Sequence, residues 1–95
     1  MYTLEEIKTI AIPVAIQFGV KKLALFGSYA QDKATEASDL DFLISKGEIR
    51  GLTFFDFINQ LEDAFEMDVD VLTYESLERS LIKDDVTKMV VLYEA

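Results

Sequence analysis

Two aspartates, Asp39 and Asp41, stand one residue apart in the otherwise apolar run "ASDLDFLIS". Alternation along a strand puts both carboxylates on one face, with Cβ atoms on the order of 7 Å apart. Like charges that close raise each other's pKa unless a cation lies between them. The pair alone fits a metal-binding edge and the solvated face of an edge strand equally well, although Leu43 continues the same face and limits solvation. A third aspartate, Asp70, interrupts a second apolar strand, "VDVLT", where propensity disfavours it. If the two strands are neighbours, Asp39, Asp41 and Asp70 join in one acidic cluster. Such a cluster suits a hard cation, and Mg²⁺ is its natural occupant. Asp68 shares a face with Asp70 and competes for the role. Asp70 is preferred because Val69 and Val71 flank it, whereas Asp68 sits at the mouth of the strand.

Upstream, "LFGSYA" closes an apolar run with Gly27 and Ser28, with ten residues between Ser28 and Asp39. A strand that ends at Gly27 and a helix that begins at Ser28 leave unpaired N–H groups and the positive end of a helix dipole pointing outward. Phosphate is the usual guest of such a corner. Ser28 adds a hydroxyl donor, and Gly27 lets the backbone come close. A plain strand-to-helix turn with a serine cap has the same short sequence. The twin aspartates that follow are what favour the phosphate reading.

Composition narrows the chemistry further. The chain has no cysteine and no histidine, which excludes disulfides, thiolate metal sites and every Ser-His catalytic arrangement. Chemistry therefore falls to carboxylates, hydroxyls, lysines and backbone. Its formal charge of −9 repels a nucleic-acid backbone, so direct nucleic-acid binding is not expected. Divalent cations or a basic protein partner suit it better. Apolar runs such as "AIPVAI" are too short to span a bilayer, and no signal-peptide pattern opens the chain, so a cytoplasmic protein without membrane association is expected.

The elements that must position these residues read as follows. Ninety-five residues imply one domain, residues 1–95. "TLEEIKTIAIPVAIQF" opens with Thr3 and Glu6 in capping-box spacing and continues as a helix that Pro13 should kink or split. Gly19 reads as the residue just past its end. "KKLALFGS" is a buried strand, residues 28–33 a short helix and "ASDLDFLIS" the second strand, with Leu40, Phe42 and Ile44 opposite the aspartates. "LTFFDFINQLEDAFE" is a helix whose face carries Phe54, Ile58, Leu61 and Phe65, and Phe54, Phe57 and Phe65 are expected to pack against the sheet. Phe55 falls off that face and marks a contact with a partner or a second copy. "MDVDVLT" is the third strand, "ESLERSLIKDDVTK" one or two short helices and "MVVLYEA" a terminal strand. Alternating helices and strands of this length give an α/β (α+β) fold, a small sheet flanked by helices.

At this point "GSYAQDKATEASDLDFLI" resembles the Gly-Ser-x10-Asp-x-Asp signature of the polymerase-β-like nucleotidyltransferases. The small size, "LFGSYA", "VDVLT" and "VVLYEA" resemble its minimal nucleotidyltransferase (MNT) branch, from about Val20 to the end of the chain. The resemblance implies the polymerase-β-like fold on a small mixed sheet. It implies that Gly27 and Ser28 hold the β- and γ-phosphates of a nucleoside triphosphate, ATP in the leading reading. It implies two Mg²⁺ ions on Asp39 and Asp41, with Asp70 completing the site beside the incoming hydroxyl. One place departs from the branch. Where many members carry Arg-Gly after the "GSYA" stretch, this chain has Gln31 and Asp32, which removes a cation near the triphosphate and adds an acid. Lys33 or Lys46 could offset that loss.

Beside larger relatives, a chain this small is expected to hold the catalytic half and little else, so the surface that grips an acceptor is expected from another chain. Members of the MNT branch pair with small helical HEPN proteins. The implied function is an antitoxin that transfers AMP from ATP to a tyrosine of a HEPN ribonuclease toxin, as part of a homodimer or hetero-oligomer. Two alternatives stay open. One is an antitoxin that neutralises its partner by binding alone, and the other is nucleotidyl transfer to a small hydroxylated molecule with a partner subunit.

Overall fold

The first helix, α1 (Leu4–Phe18), starts as its capping sequence dictates. Glu6 N–H donates to Thr3 Oγ1 at 3.1 Å, and Thr3 N–H donates to Glu6 Oε1 at 2.9 Å. The hydrogen bonds from the Thr3 backbone and hydroxyl hold the Glu6 carboxyl below its usual range. Thr3→Ala removes one half of this reciprocal cap and should cost about 1 kcal/mol in a urea titration. The computed structural model describes residues 2–45, 47, 49, 51–74 and 89–95 of the chain. The helices expected in "ESLERSLIKDDVTK" and the role suggested for Lys46 lie outside the described residues.

Of the two outcomes expected at Pro13, a kink or a split, the split is absent: α1 runs through it as one helix. Pro13 lies on the exposed side, where the carbonyl that loses its partner can reach water. Ile7, Ala11, Val14 and Ala15 form the buried stripe on either side of it and hold both halves to one core. Gly19 ends the helix in the left-handed conformation, at φ 73°.

Four strands follow: β1 (Lys22–Phe26), β2 (Leu40–Ser45), β3 (Val69–Thr73) and β4 (Val90–Glu94). They form one mixed sheet in the order β3-β2-β1-β4. β1 runs antiparallel to both β2 and β4, and β2 runs parallel to β3. A short helix, α2 (Gly27–Ala30), leads out of β1, and α3 (Leu52–Phe65) makes the crossover that a parallel pair requires.

Helices α1 and α3 cover one face of the sheet. Tyr2 meets Phe65 with ring centroids 5.1 Å apart, and Phe18 meets Phe57 at 5.6 Å, so the two helices run antiparallel. Leu23, Leu25, Leu40, Phe42 and Ile44 form the floor beneath them. The apolar face of α3 is centred on Phe57, Leu61 and Phe65, with Phe54 and Ile58 half-buried at its margin. Phe55 is 59% exposed, as its place off that face requires. The opposite face of the sheet carries Ala24, Phe26 and Leu43, against which Leu72, Tyr74 and Met89 pack. Among the described residues, no helix is long and apolar enough to cross a membrane.

Candidate active site

Strand pairing assembles the site. In the β2–β3 register Asp41 stands opposite Asp70, and in the β1–β2 register it stands opposite Phe26. Asp41 is thus flanked by a carboxylate on one side and by the end of β1 on the other. Asp39 is exposed, one step before β2. The loop that delivers it is held by local hydrogen bonds. Thr35 N–H donates to Ser38 Oγ at 2.9 Å and Ser38 N–H donates to the Thr35 carbonyl at 3.0 Å. Lys33 N–H, which donates to the Ser28 carbonyl at 2.8 Å, ties the same loop back to α2.

Gly27 joins β1 to α2 at φ 73°, a left-handed conformation that side chains disfavour. A Cβ at this position would collide with Asp41 Oδ2, so the Asp41 carboxylate lies directly against the Gly27 backbone. Ser28 follows in the first turn, half-buried. Helix α2 is shorter than expected, four residues, with Gln31 and Asp32 in the turn beyond it. Phe26 caps it without a side-chain hydrogen bond, so the N–H groups of the turn, more than any long dipole, are what it offers an anion.

The electrostatics follow from this placement. Half-buried Asp41 is pushed up to about 6, first by burial, then by the charge of Asp70, by a hydrogen bond with Asp70, and by the charge of Asp39. Burial and the neighbouring carboxylates thus favour the protonated form of Asp41 more than in an ordinary aspartate. Among the described residues no three acidic side chains are gathered as a finished metal cage. The arrangement is a close pair, Asp41 and Asp70, with Asp39 within electrostatic reach.

That donor set fits Mg²⁺. Its oxygens are hard, no lysine or arginine among the described residues acts on Asp41, and a bare glycine backbone leaves room beside it for a phosphate. Asp68 lies outside β3 and opposite no aspartate, whereas Asp70 lies inside it and opposite Asp41. Phe26 went unremarked in the sequence. Alternation in "LALF" puts it with Ala24 on the carboxylate face, where it is buried as an apolar floor next to Asp41.

A profile of the family described as Polymerase beta, Nucleotidyltransferase matches residues 5–95. A protein of Methanocaldococcus jannaschii with a provisional protein adenylyltransferase name is 40% identical over 86 residues, which cover 87% of this chain and 89% of that relative. The protein adenylyltransferase MntA of Thermococcus cleftensis is 34% identical over 95 residues, covering 95% of this chain and 96% of that relative. Among solved structures, a toxin–antitoxin complex with AMP-PNP contains a chain similar at a TM-score of 0.74 and 20% identity, covering 93% of this chain and 73% of that one. A complex of the tri-AMPylated Shewanella oneidensis HEPN toxin with its MNT antitoxin gives a TM-score of 0.69 at 20% identity, covering 93% of this chain and 70% of that one. At that identity the two structures speak for a shared fold.

Proposed function

This chain belongs to the polymerase beta nucleotidyltransferase family, and we propose that it is a Mg²⁺-dependent protein adenylyltransferase of the MNT antitoxin kind. Its donor is ATP and its acceptor a tyrosine hydroxyl of a HEPN-type ribonuclease partner. The observation that carries this reading is the register of Asp41 with Asp70, with the Asp41 carboxylate lying against the bare backbone of Gly27. Relatives named as adenylyltransferases and the likeness to a chain solved with an AMPylated HEPN toxin support the choice of nucleotide and acceptor.

In this mechanism residues 1–95 act as one nucleotidyltransferase domain. Gly27 and Ser28 hold the β- and γ-phosphates through backbone N–H groups and the Ser28 hydroxyl. Asp39, Asp41 and Asp70 are the residues that would hold the metal. Bound Mg²⁺ supplies charge neutralisation for the triphosphate and a lowered pKa for the acceptor hydroxyl. The acceptor oxygen attacks the α-phosphorus and the bond to the β-phosphate breaks, so that pyrophosphate leaves with its electron pair. Asp70, exposed on β3, accepts the hydroxyl proton.

Incubation with Mg²⁺ and ATP labelled on the α-phosphate, with γ-labelled ATP as control, tests the reading in a lysate of the source organism. A protein band that takes only the α-label supports it. Equal labelling from γ-labelled ATP points to phosphoryl transfer and overturns it. Ser28→Ala should weaken ATP binding by about 1–2 kcal/mol, the scale of one charge-assisted hydrogen bond, in a calorimetric titration. A second reading, neutralisation by binding alone, draws on Gln31 and Asp32 where many MNT members carry Arg-Gly. Its signature is capture of the partner by wild type and Asp41→Asn alike, with no label transferred.

A further inference from the structure

Among the described residues, two that are not glycine adopt the left-handed backbone conformation, Asp32 at φ 57° and Glu66 at φ 55°. Both are acids. Glu66 caps α3, its N–H donating to the Glu62 carbonyl, in the place where glycine is the ordinary occupant. Aspartate tolerates this conformation better than glutamate does, yet glycine would hold either position with less strain. Strain retained at a position suggests that its side chain has work outside the backbone.

Each of these acids opens onto a cavity. Asp32 lines one of about 400 Å³ with Tyr2, Ile7, Tyr29, Ala30 and Val90. Glu66 lines another of about 250 Å³ with Tyr2, Tyr29, Glu36, Phe65 and Met67. Tyr2 and Tyr29 belong to both, so the two cavities adjoin across a pair of aromatic rings. Tyr2 is fixed in place, its ring edge-on to Phe65 and its hydroxyl donating to the Phe65 carbonyl at 2.6 Å. No lysine or arginine lines either cavity among the described residues.

Aromatic walls with carboxylates in the same lining suit a guanidinium or ammonium group, which gains from ring faces and from a charged hydrogen bond together. Tyr2 and Tyr29 pack on the helix-covered core, whereas Asp41 and Asp70 belong to the other face of the sheet. We propose that the paired cavities are a docking groove for a basic segment of a partner protein. One cationic side chain sits beside Asp32 and a second beside Glu36 and Glu66. A net charge of −9 draws a basic polypeptide to this groove and repels a nucleic acid. The groove stands apart from the reacting carboxylates, and its test needs neither metal nor nucleotide.

The test is an NMR titration of the ¹⁵N-labelled chain, in chelator and low salt, with the peptide acetyl-Arg-Gly-Gly-Arg-amide. Saturable shifts are expected at the amides of Tyr29, Ala30, Asp32, Glu66 and Met67, and none with the citrulline analogue of the peptide. Asp32→Gly and Glu66→Gly should each weaken binding at least five-fold while raising the melting temperature, because each removes a carboxylate and a backbone strain together. The proposal is overturned by absent saturation, by equal shifts from the citrulline peptide, or by unchanged affinity in both variants. It also fails if both variants melt lower than wild type, since the acids then serve the fold. None of these outcomes touches the label-transfer result, so the two readings stand or fall separately.

Discussion

Asp41→Asn is expected to lose Mg²⁺-dependent transfer by about a thousand-fold or more, while the chain stays folded and, in chelator at pH 7, becomes more stable. The loss has the scale of charge stabilisation at a reacting phosphoryl group, almost the only aid such a transfer needs beyond positioning. The gain has the opposite origin. Burial and the charges of Asp70 and Asp39 raise the Asp41 carboxyl to about 6, so the folded chain holds that proton more tightly than the unfolded chain does. Stability from this group is complete below about pH 4 and is lost as pH rises through about 6. Discounted for screening at a half-exposed carboxyl, the loss is about 1–2 kcal/mol. Urea titrations at pH 4 and pH 7 therefore give a stability difference between Asp41→Asn and wild type that is near zero at the lower pH and favours the variant at the higher. A variant that is unfolded by circular dichroism would make Asp41 structural and remove it from the site.

Gly27→Ala should have the next largest effect, and it should reach both stability and activity. The new methyl group meets two obstacles, a backbone φ of 73° and the Asp41 carboxylate. The first costs about 1 kcal/mol and the second, as overpacking, about 1–3 kcal/mol, so about 2–4 kcal/mol in all. Transfer falls as well, because Asp41 must move away from its place opposite Asp70. A double-mutant cycle separates the two costs. In an Asp41→Ala background the collision disappears and the backbone strain remains, so Gly27→Ala should cost at least about 1 kcal/mol less there. Additive behaviour would mean that Gly27 and Asp41 do not touch.

Much of this was readable in the sequence because it rests on local period and propensity. Asp39 and Asp41 in an apolar run, Asp70 between two valines, and the Thr3–Glu6 box all announce themselves within a few residues. What could not be read there depends on pairing across the chain. Only the parallel register of β2 with β3 puts Asp70, and not Asp68, beside Asp41. The contact between Gly27 and Asp41 likewise exists only once β1 and β2 are paired. Pro13 does not split α1 because propensity describes an isolated helix, whereas here the buried stripe of α1 holds its two halves together. On α3 the expectation that Phe57 and Phe65 pack inward holds, while Phe54 and Ile58 lie half-buried at the margin of the face, since four phenylalanines crowd that helix and contact with Phe18 and Phe42 decides which of them go inside. The left-handed glutamate at position 66 carries no sequence signal at all, since glutamate is ordinary in a last helical turn.

The position of β3 at the margin of the sheet has one more consequence. It pairs with β2 on one side only, among the described residues, and an outer strand is among the first elements to peel away in a partial opening. Asp70 rides on that strand while Asp41 belongs to an inner one. The pair proposed as catalytic is therefore divided between a yielding element and a firm one. Amide exchange across β3 should thus report how often the proposed site is intact, and activity under mild denaturant is expected to fade while the hydrophobic core is still closed.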